Sequence, residues 1–129
     1  MFNVAAPFTV LLVDDQSIML DGIEALLAPV EQVTVIGRAT TGAEAVALAK
    51  SLSPEVVIMD VNMPGMDGIE ASRHILKAAP ETRVLVLSMY GHKEFVLELL
   101  DAGVSGHLLK NAGKAELIDA MNTVMAGKR

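Results

Sequence analysis

Residues 56–68, VVIMDVNMPGMDG, set four apolar residues in a row directly before a carboxylate, Asp60. Such a run reads as a strand buried on both faces, as in a parallel sheet, and a strand of that kind rarely ends in Asp without a reason. Beyond the turn, Asp67 is placed to cap a helix over GIEASRHILKAA, which Pro80 closes. Upstream, Pro54 marks the turn into the strand.

The same unit recurs along the chain. Apolar runs end at Val13, Ile36, Met59, Leu87 and, more weakly, Leu109, and each interval has room for one helix and two turns. Helical stripes fill those intervals: Ile23, Leu26, Leu27 and Val30 in the first, Phe95, Val96, Leu99 and Leu100 in the fourth, with Gly103 as a stop. After the last run, Leu117, Ile118, Met121, Val124 and Met125 share one helical face. Thr41 and Glu44 have the spacing of a capping box before AVALAK. The pattern predicts an α/β fold, (βα)5, with a parallel sheet covered by helices on both sides.

Composition bounds the rest. The 129 residues fit one domain with a core large enough to need no disulfide or structural metal. Zero cysteines exclude a disulfide framework, a thiol catalyst and a thiolate zinc site, and are compatible with a cytoplasmic location. A net charge of −6 argues against direct nucleic-acid contact by this domain. No apolar run approaches the roughly 20 residues that span a bilayer. The opening MFNVAAPF reads as a flexible leader, residues 1–8, before a domain over residues 9–129.

In an open parallel sheet, ligands bind beyond the carboxyl ends of the strands. There the first strand is followed by Asp14 and Asp15, the third by Asp60 and Asn62, the fourth by Ser88 and the fifth by Lys110. The second is followed by Gly37 and Arg38, which read as an edge. Each residue alone has a bland reading as a cap, turn residue or surface charge; their coincidence at one sheet edge does not. Three carboxylates against one lysine leave an unbalanced charge, so either a proton or a cation belongs there. An oxygen-only ligand set favours magnesium, manganese or calcium over zinc, with magnesium preferred because it pairs with phosphate oxygens.

Taken together, LLVDDQ, VVIMDVNMPGMDG, VLVLSMY and GHLLKNA resemble the receiver domain of bacterial two-component response regulators, over nearly the whole chain from Thr9 to Ala126. The resemblance implies a flavodoxin-like doubly wound sheet of strand order 2-1-3-4-5. Position by position, it makes Asp60 the phosphoacceptor, Asp14 and Asp15 the acidic pair that holds magnesium, and Asn62 the residue whose backbone carbonyl completes the metal shell. Ser88 and Lys110 match the residues that bind the phosphoryl oxygens. The implied partner is a sensor histidine kinase, and the domain's own chemistry is limited to accepting the phosphoryl group and slowly losing it.

Three departures or refinements stand out. The residue three before the lysine, usually Tyr or Phe in receivers and part of their switch, is His107 here. It either does the same work or makes the output pH-sensitive, since imidazole titrates near neutrality. Asn111 stands where many receivers have Pro, and LLKNA with LSMY resembles receivers that carry a LuxR-type helix-turn-helix output; the chain therefore reads as a receiver cut from a longer transcription regulator, with a homodimer expected on phosphorylation. Met89 and Tyr90 flank the phosphoryl site and are expected to affect dephosphorylation.

Two other functions compete with this reading. A dehalogenase-type phosphatase also uses a strand-end Asp and magnesium, but wants a second acid two residues on, where Asn62 stands. A receiver-like interaction module that is never phosphorylated would have no need of the acidic pair, the acceptor and the lysine together.

Overall fold

The structure, a computed structural model, describes residues 7–89 and 93–127. Strands and helices alternate: β1 (Phe8–Val13), α1 (Ser17–Leu27), β2 (Val33–Ala39), α2 (Gly42–Leu52), β3 (Val56–Asp60), α3 (Gly68–Ala78), β4 (Arg83–Ser88), α4 (Lys93–Asp101), β5 (Gly106–Leu109) and α5 (Lys114–Met125). All neighbours in the sheet are parallel, in the order β2-β1-β3-β4-β5. This is the flavodoxin-like order the resemblance implies. The order reverses beside β1, and β1 and β3 bring Asp14 and Asp60 to that crevice.

Both faces of the sheet are buried, which is why the strands read as unbroken apolar runs. Leu11, Val13, Val57, Met59, Val84 and Val86 point into a core with residues of α2, α3 and α4. Their alternates Val10, Leu12, Val56, Ile58, Leu85 and Leu87 point into a second core with Leu20, Ile23 and Leu27 of α1 and Leu117, Met121 and Val124 of α5.

Several details differ from the sequence expectation. β2 does not stop at Ile36: a bulge opposite Val10/Leu11 skips Ile36, and Gly37, Arg38 and Ala39 continue the pairing. Arg38 is thus a strand residue, bonded to Asp21 at 2.8 Å and Glu24 at 3.0 Å on α1. Phe8, read from the sequence as the last residue of a leader, instead begins β1 and is buried. Leu26 and Leu100 lie on the rims of their helical stripes and are 39% and 48% exposed.

Local capping explains where α2 and α3 begin. Asp67 accepts from the Glu70 amide at 2.9 Å, as its position predicts. The Thr41 hydroxyl accepts from the Glu44 amide at 3.0 Å, but Glu44 returns its bond to the amide of Thr40 instead of Thr41. Gly103, with φ +88°, provides the left-handed turn after α4.

Candidate functional site

The site is assembled from the ends of four strands. Asp14, just past β1, is buried, and its Oδ1 accepts from the Gln16 amide at 2.9 Å. Asp60, the last residue of β3, is 1% exposed, and its Oδ1 accepts from the Asn62 amide at 3.1 Å. Asp15 faces solvent at the mouth of the same cleft. Each of the three carboxylates offers an oxygen, and these lie within 4.8 Å of one another.

Lys110, directly after β5, reaches back into this cluster. Its Nζ stands 2.9 Å from Asp60 Oδ1 and 3.5 Å from Asp14 Oδ2. Burial alone would lower the lysine pKa, but the hydrogen bonds and charges of Asp60 and Asp14 outweigh it, so the ammonium is held above its ordinary range. Burial raises the Asp14 pKa, and the neighbouring Asp60 charge adds to this, with the Gln16 amide and Lys110 opposing.

One lysine cannot balance three carboxylates. Neighbouring charges about 4 Å apart interact by about 4 kcal/mol at an effective dielectric of 20, which keeps the cluster short of positive charge. Asp60 Oδ2 makes the same point at atomic scale, being buried with no hydrogen-bond partner among the described residues. Three convergent carboxylates and an orphan buried oxygen suit a hard dication, which takes oxygen ligands and keeps part of its water. A cleft of about 520 Å³ above them, lined by Asp15, Gln16, Met19, Asp60, Asn62, Met89, Lys110 and Asn111, leaves room for such an ion and a small anion.

Ser88 and His107 form the other half of the site. Ser88 ends β4 fully buried, and its Oγ lies 3.0 Å from His107 Nε2. His107 pairs with Val86 in the β4–β5 register and so sits diagonally across from Ser88 on one face of the sheet. The Phe95 ring of α4 meets the imidazole edge to face, 5.7 Å between centroids. The amide of Lys110 donates to the Ser88 carbonyl at 2.8 Å, tying the two halves together through the backbone.

Every site residue singled out in the sequence lies at this edge except Tyr90, which falls outside the described residues. Met89 is 67% exposed at the cleft. Three participants were not singled out as site residues. Gln16 binds Asp14 through its amide, a bond that any residue type can make. Phe95 looked like one more core residue of α4. Gly68 leaves no space for a Cβ, which would overlap the Asp60 carbonyl oxygen and lie 2.8 Å from Val61 Cα. A Gly just after the capping Asp67 was the available signal.

Comparison with known proteins then decides the family, since residues 10–122 match the response regulator receiver domain. The chain belongs to that family. The response regulator GacA of Pseudomonas aeruginosa is 40% identical over 120 residues, covering 93% of this chain and 56% of the relative. This receiver domain therefore spans little more than half the length of that curated relative. A two-component response regulator of the LuxR family from Aurantimonas superposes with a TM-score of 0.91 at 34% identity, covering 96% of this chain and 89% of that one. The signal receiver domain of the putative regulator NarL from Mycobacterium tuberculosis gives 0.90 at 31% identity, covering 95% and 99%. The receiver fold and its LuxR-family relatives are thus as the sequence motifs indicated. Among the described residues, no helix is long and apolar enough to cross a membrane.

Proposed function

We propose that this receiver domain is a phosphoacceptor switch in which Asp60 takes a phosphoryl group from a phosphohistidine of a sensor histidine kinase. The observation that carries the reading is the Asp60 carboxylate itself: Oδ1 is held by Lys110 and the Asn62 amide, while Oδ2 is buried beside Asp14 and Asp15 with no hydrogen-bond partner among the described residues. A rigid, oriented carboxylate can act as a nucleophile. A carboxylate oxygen forms the new O–P bond as the P–N bond to the donor imidazole breaks, and the imidazole leaves with the bonding electron pair and takes up a proton.

Asp14, Asp15 and Asp60, with the Asn62 backbone carbonyl, are the groups that would hold magnesium, which when bound neutralises phosphoryl charge and orients the transferring group. Lys110 supplies a fixed cation to the phosphoryl oxygens, and Ser88 a hydroxyl. Drawing these two inward shifts the chain that follows β4 and β5, disturbs His107 within β5 through its bond to Ser88, and so alters the surface around α4. Met89, at the cleft beside the acceptor, and Tyr90, next to it in the sequence, govern the approach of water and hence the lifetime of the product. In the full-length protein this surface would act on a C-terminal helix-turn-helix output domain, with homodimerisation as one route, in the cytoplasm.

Intact-mass measurement after incubation with acetyl phosphate and magnesium tests the reading. One added phosphoryl group is expected on the parent, none on Asp60→Asn, and none when magnesium is chelated. A parent that gains no mass, and that fails to bind beryllofluoride, would instead be a receiver-like interaction module.

A further inference from the structure

The hydrogen bond between Ser88 and His107 joins a hydroxyl with a single hydrogen to a ring that either gives or takes one. To bond a phosphoryl oxygen, which only accepts, the serine must donate its hydrogen. An unprotonated Nε2 3.0 Å away competes for that hydrogen; a protonated Nε2 donates to the serine oxygen and leaves the hydrogen available. We propose that His107 is a positioning residue for Ser88: the neutral imidazole accepts from the hydroxyl and keeps it turned from the phosphoryl site, and protonation of the ring releases it. This rests on the phosphoacceptor reading of Asp60.

The surroundings suit that role. β4 offers the ring the Ser88 hydroxyl, and α4 offers Phe95 in edge contact. A cavity of about 300 Å³ beside the ring is lined by Val96, Leu99, Leu100, Val104, Ser105 and Gly106, none of them charged. Among the described acidic side chains of α4, Glu98 and Asp101 are exposed and line no part of that cavity, and Asp101 is paired with Arg73 at 3.2 Å. Lys110, three residues along from His107, is engaged by Asp60 and Asp14. The serine is thus an identified partner that distinguishes the two protonation states of the ring. A phosphoryl group also favours the protonated ring through its charge, so the two effects have the same sign.

The experiment measures beryllofluoride affinity in saturating magnesium at about pH 6 and about pH 8, either side of the ordinary imidazole range. Parent, His107→Phe and His107→Gln are compared, so that the pH response of the reagent and of the carboxylates cancels. The parent should gain at least about threefold more affinity on acidification than either variant, a proton-linked change that the non-titrating side chains cannot make. An equal pH ratio in all three overturns the proposal, whereas a parent that binds no beryllofluoride at either pH overturns the phosphoacceptor reading instead. Nitrogen-15 NMR of the unligated protein gives a second readout: neutral His107 should carry its proton on Nδ1, and Ser88→Ala should raise the pH at which the ring titrates. Neutral His107 with its proton on Nε2 and an unchanged midpoint in Ser88→Ala would also overturn it.

Discussion

Asp14 and Lys110 carry opposite consequences for stability although they touch. The raised pKa of Asp14 means that folding favours its protonated form. Its contribution to stability is therefore complete below the unfolded carboxylate value and is lost as pH rises through the folded one. Asp14→Asn keeps an oxygen for the Gln16 amide and removes the repulsion from Asp60. It should raise the melting temperature in metal-free buffer at neutral pH, by about 4 °C for a gain of about 1 kcal/mol. At pH values below the ordinary carboxylate range the difference should vanish. Lys110 is the reverse case at neutral pH, since its pKa is raised by its partners and its contribution is lost only above the ordinary lysine range. Lys110→Met leaves buried Asp60 and Asp14 without their cation and should destabilise the domain by about 1–3 kcal/mol in metal-free urea titrations. Combined with Asp60→Asn, the same substitution should cost less, because one of the two charges it leaves behind, the nearer one, is gone.

The strand ends were the legible part of the site at this scale. Asp14, Asp15, Asp60, Ser88 and Lys110 each follow an apolar run, and the run itself announces where the sheet stops. The bond from Ser88 to His107 was not legible. It depends on the β4–β5 register, which places a residue of one strand diagonally opposite a residue of the other, and sequence spacing alone does not set that register.

Among the elements, the junction of β3 with α3 is the most constrained. Gly68 opens α3 against the backbone of Asp60 and Val61, and its amide donates to the Val61 carbonyl at 3.0 Å. The obstruction is backbone, so a side chain here cannot be accommodated by a rotamer change. Gly68→Ala should destabilise by at least about 2 kcal/mol and, by displacing the end of β3, weaken magnesium binding in calorimetry. Gly22→Ala is the matching control, because nothing lies within 4 Å of its added carbon. Helix starts were readable where a side chain makes the cap, as at Asp67 and Thr41. The far end of β2 was not, because a bulge conceals the pairing of residues whose own propensity suggests a turn: Gly37 and Arg38 stay in the strand through partners on β1.

For the molecule as a whole, a cation held at the acidic edge would link its binding to folding. A cation that binds the native cluster and not the unfolded chain stabilises by mass action, about 1.4 kcal/mol at ten times its dissociation constant. Thermal unfolding of the parent should therefore shift upward with magnesium concentration, and that of Asp60→Asn much less. A parent whose melting temperature ignores magnesium would contradict the assignment of Asp14, Asp15 and Asp60 to a cation.

Asp60 also stands on β3, whose five residues are all buried and which has β1 on one side and β4 on the other. β5 has one strand neighbour, and its residues are half-buried or exposed. Amide hydrogen exchange should accordingly be slowest in β3 and faster in β5, in keeping with local opening at the less protected edge. On the phosphoacceptor reading, a group attached to Asp60 would be written on the strand expected to open last, while His107, bonded to the buried Ser88, would read it from the edge strand β5. Such a mark could then be sensed repeatedly, by a margin that moves, without loosening the strand that bears it.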